Sequence, residues 1–118
     1  IDDEPSILES SRELLNDFGF QVDAFSDPVM AFDAFLDNPL AYDLVVTDQT
    51  MPGMTGDVLA KKILELKPDI PIILCTGFNE NISELKAGEI GIQKYLQKPI
   101  IEDSLAGIIR KLLDKNKP

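Results

Sequence analysis

At 118 residues, with 44% hydrophobic and 27% charged residues, the chain has the size and composition of one globular domain able to bury its own core. Its 11 Lys and Arg against 21 Asp and Glu leave a net charge of −10, which argues against a direct grip on nucleic acid or an anionic membrane and favours a cation or a basic partner surface. Histidine is absent, so Ser/His and Cys/His catalysis and imidazole metal ligation drop out and carboxylates remain as the chemical groups.

From Pro5 to Phe18 the residues Ile7, Leu8, Ser11, Leu14, Leu15 and Phe18 recur at spacings of three and four, with Gly19 as the stop, which predicts an amphipathic helix. QVDAF, residues 21–25, predicts a short strand. Ser26, Asp27 and Pro28 then signal a helix start, and Val29, Phe32, Phe35 and Leu36 continue at helical spacing until Asn38-Pro39. Leu44 to Thr47 predicts a buried strand ending on Asp48. After a loop of Pro, Gly and Thr, a helix over 55–67 carries Val58, Leu59, Ile63 and Leu66, and Pro68 closes it. Ile70 to Cys75 is a continuous apolar run bounded by prolines and Thr76-Gly77, as expected of a strand covered on both faces. Its cysteine, the only one in the chain, reads as a small buried hydrophobe in a reducing compartment. A helix over 81–89, a strand over 92–96 and a last helix marked by Leu105, Ile108, Ile109, Leu112 and Leu113 complete the pattern. No apolar run approaches the roughly 18 residues that span a bilayer, and the expectation is a cytoplasmic protein without a membrane span. Alternation of strands and helices predicts an α/β fold, with right-handed crossovers and a parallel sheet between helices.

In such a sheet the ligand site lies beyond the carboxyl ends of the strands. The polar residues there are Asp2 and Asp3 after Ile1, Asp48, Thr76 and Lys98: three carboxylates, a hydroxyl and an ammonium on one rim. Crowded carboxylates repel and need a counter-charge, which a hard divalent cation such as Mg²⁺ supplies while completing its shell with phosphate oxygens. Lys98 is a mobile charge suited to phosphate, and Thr76 offers one hydrogen bond. An aspartate so neutralised can act as a nucleophile on phosphorus, which accounts for a buried strand ending in a carboxylate.

With the acidic pair Asp2-Asp3, the sequence VVTDQTMPGMTG around Asp48, Thr76 in ILCTG and Lys98-Pro99 in KYLQKP, nearly the whole chain resembles the receiver domain of two-component response regulators. The resemblance implies a flavodoxin-like three-layer α/β/α fold, with five helices and a five-stranded parallel sheet of order 2-1-3-4-5. It implies that Asp48 accepts a phosphoryl group from the phosphohistidine of a partner histidine kinase or histidine phosphotransfer protein. Asp3 and Asp48 would bind Mg²⁺ with the backbone carbonyl of Thr50, Asp2 would act largely through water, Lys98 would contact the phosphoryl group, and its bond to Pro99 would be cis. Thr76 and Tyr95 would form the switch, altering the face of the fourth helix, fifth strand and fifth helix toward an output domain or partner protein. Thr50 and Phe78 occupy positions that tune phosphoryl lifetime in the family. The domain so implied is regulatory, an agent of its own phosphorylation and dephosphorylation, and compatible with a homodimer. ILCTGFNE is similar to receivers attached to hybrid sensor kinases. The family carries a run of apolar strand residues before the acidic pair where only Ile1 stands here, so the expectation is one receiver domain over 1–118 in a natural chain that extends upstream.

Each residue taken singly has a plainer role. Asp2, Asp3 and Glu4 can cap a helix, Asp48 can lead a turn, Lys98 can be a solvated lysine, and Thr76 and Tyr95 can be packing residues. Competing functions are a Mg²⁺-dependent phosphatase or phosphotransferase with an aspartate nucleophile, a nucleotide or flavin binder, and a receiver-like scaffold that is never phosphorylated. Thr50 stands where a D-x-D phosphatase motif requires its second aspartate, and neither G-x-G-x-x-G nor G-x-x-x-x-G-K-[ST] occurs.

Overall fold

Proline and a short acidic side chain set where the first two helices begin. In the computed structural model, which describes residues 1–77, 84–97 and 102–115, α1 (Pro5–Asp17) and α2 (Pro28–Asp37) each start on a proline, whose missing N–H costs nothing at a helix N-terminus. Asp27 caps α2, its Oδ1 accepting from the Val29 N–H at 2.9 Å. A single 3₁₀ turn (Pro39–Ala41) leads into β1 (Val45–Asp48), followed by α3 (Gly56–Leu66), β2 (Ile72–Thr76), α4 (Glu84–Ile90), β3 (Lys94–Gln97) and α5 (Glu102–Lys115).

The three strands form a parallel sheet in the order β1-β2-β3, with Asp48 opposite Cys75 and Thr76 opposite Gln97. All five residues of β2 are buried, and its side chains alternate between two cores. Ile72 and Leu74 join Phe35, Leu59, Ile63 and Ala87 under α2, α3 and α4. Ile73 and Cys75 join Leu15, Leu105, Ala106 and Ile109 under α1 and α5. The result is the expected α/β/α sandwich with helices on both faces. On the second side Arg110 fastens α5 to the end of α1, donating to the Phe18 carbonyl at 3.1 Å with its guanidinium 4.8 Å from the Phe20 ring centroid.

At the free side of β1 the architecture is reduced. Ile1 and Asp2 lie between β1 and the segment 21–25. The Ile1 nitrogen donates to the Val46 carbonyl at 2.7 Å, the Asp48 N–H donates to the Ile1 carbonyl at 2.9 Å, and the Asp2 N–H donates to the Phe25 carbonyl at 3.2 Å. The spatial sequence is therefore 21–25, Ile1-Asp2, β1, β2, β3, the expected 2-1-3-4-5 with its first two positions shortened. Residues 21–25, read from the sequence as a strand, carry no ladder, because a strand exists only where a neighbour pairs with it and here two residues do. Beside them opens a cleft of about 920 Å³ walled by Leu8, Leu15, Val22, Val46, Cys75 and Ile109.

Candidate functional site

The carboxyl end of the sheet gathers its polar residues by register. Gln49 donates its backbone N–H to the Cys75 carbonyl at 2.9 Å, which holds the end of β1 against the end of β2 and sets Asp48 opposite Cys75, one residue before Thr76. The same pairing of Ile1 with Asp48 brings the next two residues, Asp2 and Asp3, to the tip of β1. Carboxylate oxygens of Asp2, Asp3 and Asp48 all lie within 4.8 Å of one another. Asp48 is only 5% exposed. Asp2 also fills the plainer role, its Oδ1 accepting from the Glu4 N–H at 3.0 Å ahead of α1.

Three carboxylates at this separation, in a chain of net charge −10, repel one another strongly enough that a bound cation is the natural relief. The donor set is all oxygen and fits a hard divalent ion, with Mg²⁺ the expected case. Thr50 follows on the exposed loop. Thr76 is fully buried, and its hydroxyl donates to the Leu96 carbonyl over a long 3.5 Å, a weak tether. Tyr95, opposite Leu74 on β3, is half-buried against the first core. The structure thus brings Asp2, Asp3, Asp48 and Thr76 to one end of the sheet, while Phe78, Lys98 and Pro99 lie outside the described residues.

The loop between β1 and α3 holds residues that the sequence did not single out. Gly56, the first residue of α3, packs against β1 so closely that a Cβ there would sit 2.1 Å from the Asp48 carbonyl oxygen. Its N–H donates to the Gln49 carbonyl at 2.8 Å. Gly53 turns the loop with φ 87°, a conformation glycine adopts freely. Buried Gln49 binds Asp57 twice, Nε2 donating to Asp57 Oδ1 and Oε1 accepting from the Asp57 N–H, each at 2.9 Å. Partial burial pushes the Asp57 carboxyl up, but hydrogen bonds from Thr55, Gln49 and the backbone of Val58 and Asp57 outweigh it and hold the group below its usual range. A polar residue directly after the strand and an acid just inside the next helix were the available signals, and each alone reads as an ordinary turn or cap. Met51 is buried beneath the loop and Met54 packs on the first core, as gap-fillers.

A family model described as the response regulator receiver domain matches residues 1–110. The chain belongs to this family. As a receiver domain it is similar to the C4-dicarboxylate transport transcriptional regulatory protein DctD of Rhizobium meliloti, at 33% identity over 99% of this chain and 25% of that protein. It is also similar to the transcriptional regulatory protein FixJ of Bradyrhizobium diazoefficiens, at 30% identity over the whole chain and 57% of that protein. This receiver therefore spans a quarter to somewhat over half the length of these two relatives. Among solved structures, a response regulator receiver domain protein from Clostridium thermocellum superposes with a TM-score of 0.91 at 28% identity, covering 97% of this chain and 90% of that one. The signal receiver domain of a signal transduction histidine kinase from Syntrophus aciditrophicus superposes with a TM-score of 0.85 at 26% identity, covering 99% of this chain and 89% of that one. Receiver domains are phosphoacceptor switches of two-component signalling that bind Mg²⁺ and interact with histidine kinases, and the chain carries both the fold and an acidic cluster suited to that ion. Among the described residues no helix is long and apolar enough to cross a membrane.

Proposed function

We propose that Asp48 is the phosphoacceptor of this receiver and that the phosphoryl group comes from a phosphohistidine on a histidine kinase or histidine phosphotransfer protein. The observation that carries the reading is the buried Asp48 carboxylate at the end of β1, grouped with Asp2 and Asp3 within 4.8 Å. One Asp48 oxygen attacks phosphorus in line with the donor imidazole. The P–O bond forms as the P–N bond breaks, and the donor's histidine leaves as the neutral ring after taking a proton. Asp3, Asp48 and the Thr50 carbonyl would hold Mg²⁺, with Asp2 acting through water, and the ion would offset the negative charge gathered on the transferring group. Lys98 pairs with the phosphoryl oxygens from the opposite side.

Thr76 reports the event. Its hydroxyl exchanges a weak bond to the Leu96 carbonyl for a charged acceptor, and Tyr95 follows it inward, changing the surface that β3 shares with α4 and α5. That surface addresses an output domain or partner, and the receiver works as a module of a longer signalling protein, either a transcriptional regulator or a hybrid sensor kinase. The domain attends to its own phosphorylation and hydrolysis, as a switch and not as a phosphatase of generic phosphomonoesters.

Incubation with acetyl phosphate and Mg²⁺ tests the proposal. One phosphoryl group per chain is expected by intact-mass spectrometry, acid-stable and base-labile, and absent from Asp48→Asn. Labelling that survives Asp48→Asn, or steady turnover of p-nitrophenyl phosphate without labelling, would overturn it.

A further inference from the structure

The neck of the loop between β1 and α3 is closed by more bonds than a simple connection needs. Gln49 contributes to all of them. Its N–H goes to Cys75 and its carbonyl receives Gly56, while both ends of its side-chain amide engage Asp57. The amide orientation is fixed by chemistry, because only Oε1 can accept the Asp57 backbone N–H and only Nε2 can donate to the carboxylate. Residues 50–55 are thereby a loop with both ends pinned, one end immediately beside Asp48 and the other at the first turn of α3. Gln49 is buried while Asp57 is partly exposed, so the amide side of this pair is shielded from water that would otherwise compete for it.

We propose that Gln49 and Asp57 form a positioning clamp that sets the loop bearing Thr50 against the Asp48 carboxylate, and so sets the divalent-cation affinity of the acidic cluster. The inference rests on the assignment of Asp48, Asp3 and Thr50 to the metal site. Neither clamp residue touches the ion or the phosphoryl group. Each acts through the backbone between them, as outer groups do when they orient the atoms that ligate a metal.

Three variants and one control decide it, with Mg²⁺ itself as the probe in isothermal titration calorimetry and thermal melts alongside. Gln49→Leu keeps the buried volume but removes both amide bonds, and weakens Mg²⁺ binding by about tenfold, the low end of what loss of such outer groups does. Gln49→Glu sets two carboxylates face to face and weakens binding at least as much. The double variant Gln49→Glu with Asp57→Asn restores both bonds, the side-chain one with its polarity reversed and the backbone one unchanged, and brings affinity back to within about twofold of the parent. Ile63→Val, in the first core and away from the loop, lowers the melting temperature without changing Mg²⁺ affinity. A folded Gln49→Leu protein with parental affinity overturns the clamp, as does a double variant that regains melting temperature but not Mg²⁺ binding. Failure of the parent protein to bind Mg²⁺ overturns the metal-site assignment itself, a result separable from either.

Discussion

A methyl group at position 56 would have no room: it would meet the Asp48 carbonyl oxygen at 2.1 Å and the Leu74 side chain at 2.8 Å. The first obstacle is backbone, which cannot rotate aside, so α3 would have to lift away from β1 and carry the loop with it. Gly56→Ala is therefore expected to cost about 3 kcal/mol, the upper end of overpacking penalties, in urea denaturation, and to slow phosphorylation of the molecules that remain folded. A loss below about 1 kcal/mol would mean that the helix tolerates the shift. The sequence made the acids legible because a carboxylate closing an apolar run is chemically conspicuous. Asp48, Asp2 and Asp3 were found this way, and Thr76 with them. Gly56, Gln49 and Asp57 were not. Their roles depend on how closely a helix approaches a strand seven to nine positions away, a distance that hydrophobic periodicity does not encode.

Of the five helices described, α1, α2, α3 and α5 were visible as apolar spacings, because an amphipathic helix must bury one stripe whatever its neighbours do; α4 was read as a helix over 81–89 without such a stripe. Which residues of the stripe are covered depends on the neighbour. In α3 the buried set is Leu59, Ala60 and Ile63, whereas Val58 and Leu66 remain exposed. In α1 only Leu15 is fully covered, because this helix stands over the cleft. The segment 21–25 shows the converse. It has strand composition but its docking rests on few bonds, one of them the Tyr42 hydroxyl donating to Asp23 Oδ2 at 2.8 Å. The Tyr42 ring stacks on Phe35, with centroids 6.0 Å apart. Burial, then the bond to Asp23 and its negative charge, push the Tyr42 phenol up to about 12 from 10.0. A phenol whose folded-state pKa is raised contributes fully below the unfolded value and loses that contribution as pH climbs from about 10 toward 12. Tyr42→Phe should thus cost about 1 kcal/mol near pH 8, with the gap to the parent closing above pH 10 in denaturation curves. A gap that stays constant through pH 11 would show that the Tyr42 phenol is not pushed up in the folded protein.

For the molecule as a whole, the three-layer order was legible because β2 is buried throughout and apolar up to Thr76, and must be covered twice, which only a central parallel strand achieves. The cleft was less so: one apolar residue before the acidic pair could be counted, but not the volume that it leaves. Ile1 and Asp2 lie on the line between 21–25 and β1, beside the cleft. Adding a short run of Val and Ile ahead of Ile1 should raise the melting temperature by roughly 10 °C, since each fully buried side chain contributes about 1.5–3 kcal/mol and much of that offsets the ordering of new backbone. An unchanged melting temperature in scanning calorimetry would show that the line is not extended.

Cys75 gives this region a built-in reporter. The only thiol in the chain lies opposite Asp48, on the floor of the apolar hollow and 4% exposed. Little of the thiol is within a maleimide's reach, so the alkylation rate records how readily the hollow opens, without any engineered label.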